Sequence, residues 1–210
     1  MTILAIAAHN DDHIIGCGGT LAHYAKQGER IVTIICSHAE NSHLHLKKRT
    51  TLKKRIAEAL KANKLFGGQE VIFLGIRDGH FQHDLKARTI LIKNIITKEK
   101  PEKIFTHSDK DWNKDHKELS KYLLSLADKG SITCPIFSFS IWSALNIVKQ
   151  SYPVLVVDTA ATFQTKLKAF LVHESQTLIS WAIIWKLMIK DRICGISNKH
   201  RYAEAFYKLR

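Results

Sequence analysis

The chain has 210 residues, 45% of them hydrophobic and 24% charged, which is enough to bury one sizeable core and ordinary for a soluble globular protein. Its cysteines, Cys17, Cys36, Cys134 and Cys194, form no Cys-x-x-Cys pair, which excludes a zinc ribbon and a disulfide framework and suits a reducing cytosol. A net charge of +13 favours contact with anions, yet no nucleic-acid-binding motif accompanies it, and no nucleic-acid partner is expected.

Taken in order, the first apolar run, residues 3–8, reads as a buried strand, and no basic region precedes it as a signal peptide would require. A cytoplasmic protein is expected. The run ends in His9, Asn10, Asp11 and Asp12, and a helix opened by small residues is expected from Gly16 to Gln27. Arg30 to Cys36 is a second, β-branched strand. A polar loop around His38 to His45 leads to a helix from about Leu46 to Leu65, which carries Lys47, Lys48, Arg49, Lys53, Lys54 and Arg55. Val71 to Leu74 is a third strand, closed by Gly75 and the Asp78-Gly79 turn. A helix from Lys86 to Lys98 stops before Pro101, and a fourth strand, Lys103 to Thr106, runs into His107.

Beyond it, a helix is expected over Lys117 to Ala127, strands over Ile136 to Trp142 and Val154 to Val157, and a helix over Ala160 to His173. Apolar strands separated by helices mean a three-layer Rossmann-like α/β fold, an open and mostly parallel sheet with helices on both faces. No linker or repeat divides it, so residues 1–210 are expected to form one domain. Leu178 to Ile189, with Trp181, Trp185 and Met188, is too short and too interrupted by Lys186 to span a bilayer. It reads as a helix packed on the sheet edge, and a homo-oligomer contact or a membrane-surface contact is the sharper reading.

In doubly wound sheets the first and fourth strands are neighbours at the topological switch point, and their carboxyl-end loops open the ligand crevice. The first loop carries His9, Asp11 and Asp12, and the fourth carries His107 through His116, rich in aspartate. Carboxylates and imidazoles beside a core need a metal, a substrate or a proton-transfer role to offset their desolvation. His9, Asp12 and His116 make a two-imidazole, one-carboxylate set that suits catalytic zinc, with iron, cobalt or manganese as alternatives. Asp11 is then left beside the metal's water, where a carboxylate acts as general base. A metal-free hydrogen-bond network at the switch point is the plainer alternative.

Ala-His-Asn-Asp-Asp with Gly-Cys-Gly-Gly-Thr, and Thr-His-Ser-x-x-Asp-x-Asn-x-Asp-His later, resemble the zinc-dependent N-deacetylases of the PIG-L/LmbE-like family. The resemblance continues in Asp78-Gly79, in Lys166-x-x-Ala169-x-x-x-His173-x-Ser175-Gln176 and in Tyr202 to Phe206. It implies hydrolysis of the N-acetyl group of an amino sugar (a glycoside, nucleotide sugar or lipid-linked sugar), releasing acetate and a free amine, and the basic surface extends this expectation to an anionic substrate. On the matching positions it implies zinc at His9, Asp12 and His116, Asp11 as base, and Arg55, Asp78 and His173 facing the substrate. Three positions depart from the family pattern. Asn10 replaces a proline, His13 replaces a glutamate, and Asn113 replaces a histidine that steadies the tetrahedral intermediate. Asn113 can still donate to an oxyanion but carries no proton. Asp115 then either orients a ligand or caps the following helix. The competing class is a non-catalytic nucleotide- or anion-binding module, in which Gly16-Cys-Gly-Gly19 holds a phosphate at a helix N-terminus.

Overall fold

A computed structural model describes residues 1–37, 48–139, 141, 154–174 and 177–210, without the side chains of 48, 49, 154 and 177–182. The expected loop histidines 38, 43 and 45, Trp142, Ser175 and Gln176, and the side chain of Trp181, lie outside the described residues.

The strands are β1 (Thr2–Ala7), β2 (Arg30–Ile35), β3 (Glu70–Phe73), β4 (Lys103–His107), β5 (Ile136–Phe139), β6 (Val154–Asp158) and β7 (Ala203–Lys208). They form one sheet in the order β3-β2-β1-β4-β5-β7-β6. The first five are parallel, and β7 is antiparallel to both β5 and β6. The helices are α1 (Asp12–Lys26), α2 (Lys48–Phe66), α3 (Phe81–Ala87), α4 (Thr89–Glu99), α5 (Lys114–Asp128), α6 (Phe163–Leu171) and α7 (Thr177–Ser197).

The period-two pleat of β1 sorts its side chains into two cores. Ile3 and Ala5 pack with Ile14, Leu21, Ala62, Phe66, Phe170 and Leu187 from α1, α2, α6 and α7. Leu4 and Ile6 pack with Phe81, Leu85, Ile92, Ile95, Leu119 and Leu123 from α3, α4 and α5. Both faces are therefore covered, the arrangement that fully apolar parallel strands require. β1 and β4 are direct neighbours, with Ile3 opposite Lys103 and Ala5 opposite Phe105, so the switch point lies between their carboxyl ends.

Several elements differ from the sequence reading. α1 starts at Asp12 rather than Gly16, and its helical path breaks at Cys17 (φ −145°, ψ 17°). α3 is a helix that follows the expected Asp78-Gly79 turn and that the sequence reading does not include, and α4 begins at Thr89 rather than Lys86. α5 opens at Lys114 because the Asn113 side chain caps it, while α6 is confined to Phe163–Leu171 and α7 continues to Ser197. β7 is a strand that the sequence reading lacks, because its stability comes from pairing with two distant strands rather than from a local pattern.

β7 also accounts for the glycine-rich start of α1. The Glu204 carboxylate accepts from the N–H groups of Gly19 (3.1 Å) and Thr20 (2.7 Å), just past the break at Cys17. Lys166 of α6 is buried between Glu204 (2.7 Å) and Asp191 of α7 (2.6 Å). A Cβ on Gly19 would lie 2.9 Å from Thr159 Cγ2, and one on Gly16 2.2 Å from Phe139 Cδ2. These glycines admit close packing, and the anion at the helix start is the chain's own Glu204. The phosphate-cradle reading of Gly16-Cys-Gly-Gly19 is thereby replaced.

Removing one partner from a buried ionic cluster leaves uncompensated charge. Lys166→Met is expected to lower stability in urea denaturation by about 3–5 kcal/mol, whereas Lys53→Met on the exposed side of α2 should stay within about 0.5 kcal/mol of the parent.

Candidate active site

Three segments converge at the carboxyl edge of β1 and β4. The Ala8 N–H donates to His107 Nε2 at 2.9 Å and ties the end of β4 to the chain leaving β1. Burial first, then the charge of His116, pushes His107 down to about 4, so it is a neutral imidazole accepting at Nε2. Its ring stacks on His116 with centroids 3.8 Å apart.

Asp12, the first residue of α1, turns its carboxylate back over the loop. Its Oδ2 accepts from the His9 N–H at 2.8 Å and lies 3.1 Å from His9 Nδ1 and 3.2 Å from His116 Nε2. His116 Nε2 and His9 Nδ1 are 3.3 Å apart. The structure thus brings together the three residues singled out as metal ligands, each offering one inward atom. Edges of about 3.3 Å are those of a tetrahedral shell with bonds of ~2.0–2.1 Å.

The outward nitrogen of each histidine meets a carboxylate. His116 Nδ1 is 3.2 Å from Asp111 Oδ2, and His9 Nε2 is 3.6 Å from Asp115 Oδ2 and 4.0 Å from Asp78 Oδ1. Such partners fix the ring orientation of metal-binding histidines and raise their basicity. Each partner is itself held. Asp111 Oδ1 accepts from the Asn113 N–H (3.1 Å), Asp115 Oδ2 from the Gly79 N–H (3.1 Å), and Asp78 from the Ser37 hydroxyl. Asp78 is therefore more than a turn residue, and the Asp115 carboxylate stands beside His9 while Asn113 does the capping. Asn113 Oδ1 accepts from the Asp115 N–H at 2.8 Å. His107, at the end of the fourth strand, is expected only to line the crevice, and Asp111 and Ser37 have no role assigned from sequence. Asp111 stands inside the quoted fourth-strand motif, but its meaning depends on a β4–α5 turn that sequence spacing does not reveal.

Asp11 is 7% exposed. Burial and then the adjacent Asp12 carboxylate lift its pKa above the ordinary value, against the opposing pull of His173, His9 and Arg55. Arg55 is 2% exposed, unlike Lys53 and Lys54 beside it, so it is not one more surface charge. Its carbonyl accepts from Asn10 Nδ2 at 2.8 Å, so the residue that stands in place of the family proline ties α2 to the site loop. His173 is buried, with Nδ1 3.3 Å from the Ala169 carbonyl and Nε2 without a hydrogen bond among the described residues. His13 is fully buried edge-on to Phe66, and burial pushes it down to about 3, so it is a neutral packing residue outside the ligand set.

The charge balance tests the fit to a metal. Burial disfavours charge on His9 and His116, but Asp12 with Asp115 and Asp111 outweighs it, holding them up at about 10 and about 9. Burial likewise opposes the charge on Asp12, yet the His116 and His9 imidazoles, held protonated, keep it well below the usual carboxylate range. A buried pocket that retains positive charge this firmly fits a divalent cation, and two nitrogens with one oxygen and no thiolate fit zinc or a neighbouring transition metal.

The family model of PIG-L, GlcNAc-PI de-N-acetylase, matches residues 4–127. The chain is 28% identical over 119 residues to an uncharacterised deacetylase, YaiS, of Escherichia coli K12, a match over 54% of this chain and 61% of that protein. The chain thus spans about three-fifths of that relative's length. Among solved structures it is similar to GalB, the 4-carboxy-2-hydroxymuconate hydratase of Pseudomonas putida KT2440, with a TM-score of 0.83 at 19% identity over 100% of this chain and 96% of that one. It is also similar to the N,N'-diacetylchitobiose deacetylase of Pyrococcus horikoshii, with a TM-score of 0.79 at 21% identity over 99% of this chain and 83% of that one. These likenesses establish a shared fold. A hydratase and a deacetylase both use it, so the chemistry has to be read from the site.

Metal ligation requires neutral imidazole nitrogens, so binding must displace the protons that His9 and His116 retain up to about 10 and about 9. In the metal-free protein those protons stabilise the fold fully below the ordinary histidine pKa, and that stabilisation is lost as pH rises through 9 to 10. Calorimetric titration with zinc at neutral pH, in buffers of different ionisation enthalpy, should show release of about two protons per metal and affinity that rises with pH. Asp111→Asn and Asp115→Asn should each weaken metal affinity by about 10–100-fold, and, because each removes a carboxylate that favours a protonated histidine, should also lower the thermal stability of the metal-free protein at neutral pH.

Proposed function

The chain belongs to the PIG-L family of GlcNAc-PI de-N-acetylases, and we propose that it hydrolyses the N-acetyl group of an amino sugar, releasing acetate and a free amine. The observation that carries this reading is the convergence of His9 Nδ1, Asp12 Oδ2 and His116 Nε2 to within 3.3 Å of one another, with the buried Asp11 carboxylate next in the chain. Asp12 faces the imidazoles of His9 and His116, whereas burial and then Asp12 itself raise the affinity of Asp11 for a proton. One carboxylate that stays charged beside one poised to exchange a proton is the pairing that acid–base catalysis needs.

His9, Asp12 and His116 would hold a divalent cation, zinc by their donor set. When bound, such a cation supplies Lewis acidity to the acetyl carbonyl and eases ionisation of water. The chain's own residues do the rest. Asp11 takes the proton of the attacking water as its oxygen bonds to the carbonyl carbon. It returns that proton to the nitrogen as the carbon–nitrogen bond breaks, so the amine leaves neutral. Asn113 has its Oδ1 committed to the α5 cap, which leaves its amide N–H groups to donate to the developing oxyanion. Arg55 acts on Asp11 through its charge, and with His173 and Asp78 it is expected to contact the sugar. The basic surface of the chain extends the reading to sugars carrying an anionic group outside the metal pocket.

Asp11→Asn preserves shape and hydrogen-bonding capacity but removes the exchangeable proton. It should keep its metal, measured by elemental analysis, and lose about 10²–10⁴ in kcat for acetate release from a panel of N-acetylglucosamine derivatives. Undiminished turnover in this variant would sink the assigned role. In the active protein, the acid limb of the kcat profile should lie above the pH of an ordinary aspartate.

A further inference from the structure

α7 is built the wrong way round for a helix at the edge of a water-soluble domain. Its inner side is fixed by Leu187, Asp191 and Gly195, all buried. Asp191 pairs with Lys166, and a Cβ at Gly195 would lie 2.8 Å from Tyr202 Cα, so the helix rests directly on the chain that enters β7. On the opposite side stand Trp185, Ile189, Ile193 and Ile196, exposed by 63, 56, 54 and 60% respectively. Spacings of four, four and three place them in a single row along the helix. An outward face made of one tryptophan and three isoleucines is a contiguous apolar ridge, not scattered surface hydrophobics.

The exposed charges that α7 and the segment after it carry are basic, with Asp158 of β6 paired to His200 beside them. Between Thr177 and Arg201 the basic residues are Lys186, Lys190, Arg192, Lys199 and Arg201, and the single acidic residue, Asp191, is buried against Lys166. Arg192, Lys199 and Arg201 are exposed, and Arg192 is anchored by donating to the Arg201 carbonyl at 2.7 Å. Among the described residues no helix is long and apolar enough to cross a membrane.

We propose that α7 is a peripheral membrane-binding face, which lays the Trp185–Ile196 ridge into the headgroup region of a bilayer containing anionic lipid. An apolar stripe flanked by lysine and arginine is the composition that binds in this interfacial plane. A second copy of the chain fits the ridge less well. Two copies would each bring a net charge of +13 and the same basic flanks to the contact. The ridge is also about 17 Å long and one helix wide, well short of the roughly 800 Å² per partner that a stable interface buries. An anionic lipid surface turns the same charges into attraction. This inference goes beyond the hydrolytic reading and does not depend on it.

The test is sedimentation of the full chain with vesicles of phosphatidylcholine alone and of an equal mixture with phosphatidylglycerol, at low and high salt. The parent should bind the mixed vesicles, lose binding as salt rises, and leave the neutral vesicles unbound. The variant Trp185→Ser, Ile189→Ser, Ile193→Ser, altered only at exposed positions, should melt like the parent by circular dichroism and bind at least about tenfold more weakly. Lys199→Glu with Arg201→Glu should weaken binding by about fivefold or more per charge. Failure of the parent to bind mixed vesicles at low salt would overturn the proposal, as would unchanged binding in the serine variant. A lipid-free dimer in sedimentation velocity that disappears in the serine variant would also overturn it, assigning the ridge to a second copy.

Discussion

One carboxylate oxygen, Oδ2 of Asp12, holds the centre of this protein together. It accepts from the His9 N–H and lies within 3.2 Å of His9 Nδ1 and His116 Nε2, with His107, whose Nε2 accepts from the Ala8 N–H, 3.3 Å away. These nitrogens come from the loop after β1, the end of β4 and the first turn of α5. Only a sheet in which β1 and β4 are neighbours can bring those segments to one point, and the Ala8 to His107 hydrogen bond sets their level. The site is therefore a property of the topology as much as of its residues. The helix start at Asp12 follows from the same contact, since a carboxylate that bends back onto the His9 N–H closes the turn from which α1 rises.

What the sequence made legible was whatever local pattern or general topology determines. Continuous apolar strands separated by helices predict a parallel sheet, and the switch point then pairs the histidine–aspartate cluster of the first loop with that of the fourth. The partners of those residues were not legible, because they arise from contacts between segments distant in the chain. Asp111 and Asp115 sit four residues apart in one loop and helix start, yet they face different histidines, one from each ligand-bearing segment. Arg55 is adjacent to Lys53 and Lys54 in a basic run, and only the packing of α2 on the site decides that it alone is buried. The family resemblance singled it out where composition could not. β7 and the break at Cys17 escaped for the same reason, each being stabilised by the other through Glu204.

The positions that depart from the family pattern have local work to do. Asn10 cannot fix the backbone as a proline does, but its amide donates to the Arg55 carbonyl and joins α2 to the ligand loop by a hydrogen bond instead. Asn113 serves as the cap of α5, which sets the direction of the helix carrying His116. A histidine lacks the short side-chain oxygen that makes asparagine an effective cap. The substitution thus exchanges a protonatable group for a better-defined helix start one turn before a ligand.

The two buried ionic clusters show why only one of them is a candidate for binding. Around Lys166, the charges of Asp191 and Glu204 are met by Lys166 and by Lys190 nearby, and the N–H groups of Gly19 and Thr20 complete the set. Its needs are internal, and it joins α1, α6, α7 and β7. At the carboxyl edge of the sheet, by contrast, Asp11, Asp12, Asp78, Asp111 and Asp115 gather with Arg55 as the cation acting on Asp11. In a chain of net charge +13, this acidic pocket must draw its compensation from protons on His9 and His116 or from a bound cation. The basic surface therefore does not describe the pocket. Exposed lysines and arginines lie on α2 and α7, whereas the site itself gathers carboxylates and favours positive charge.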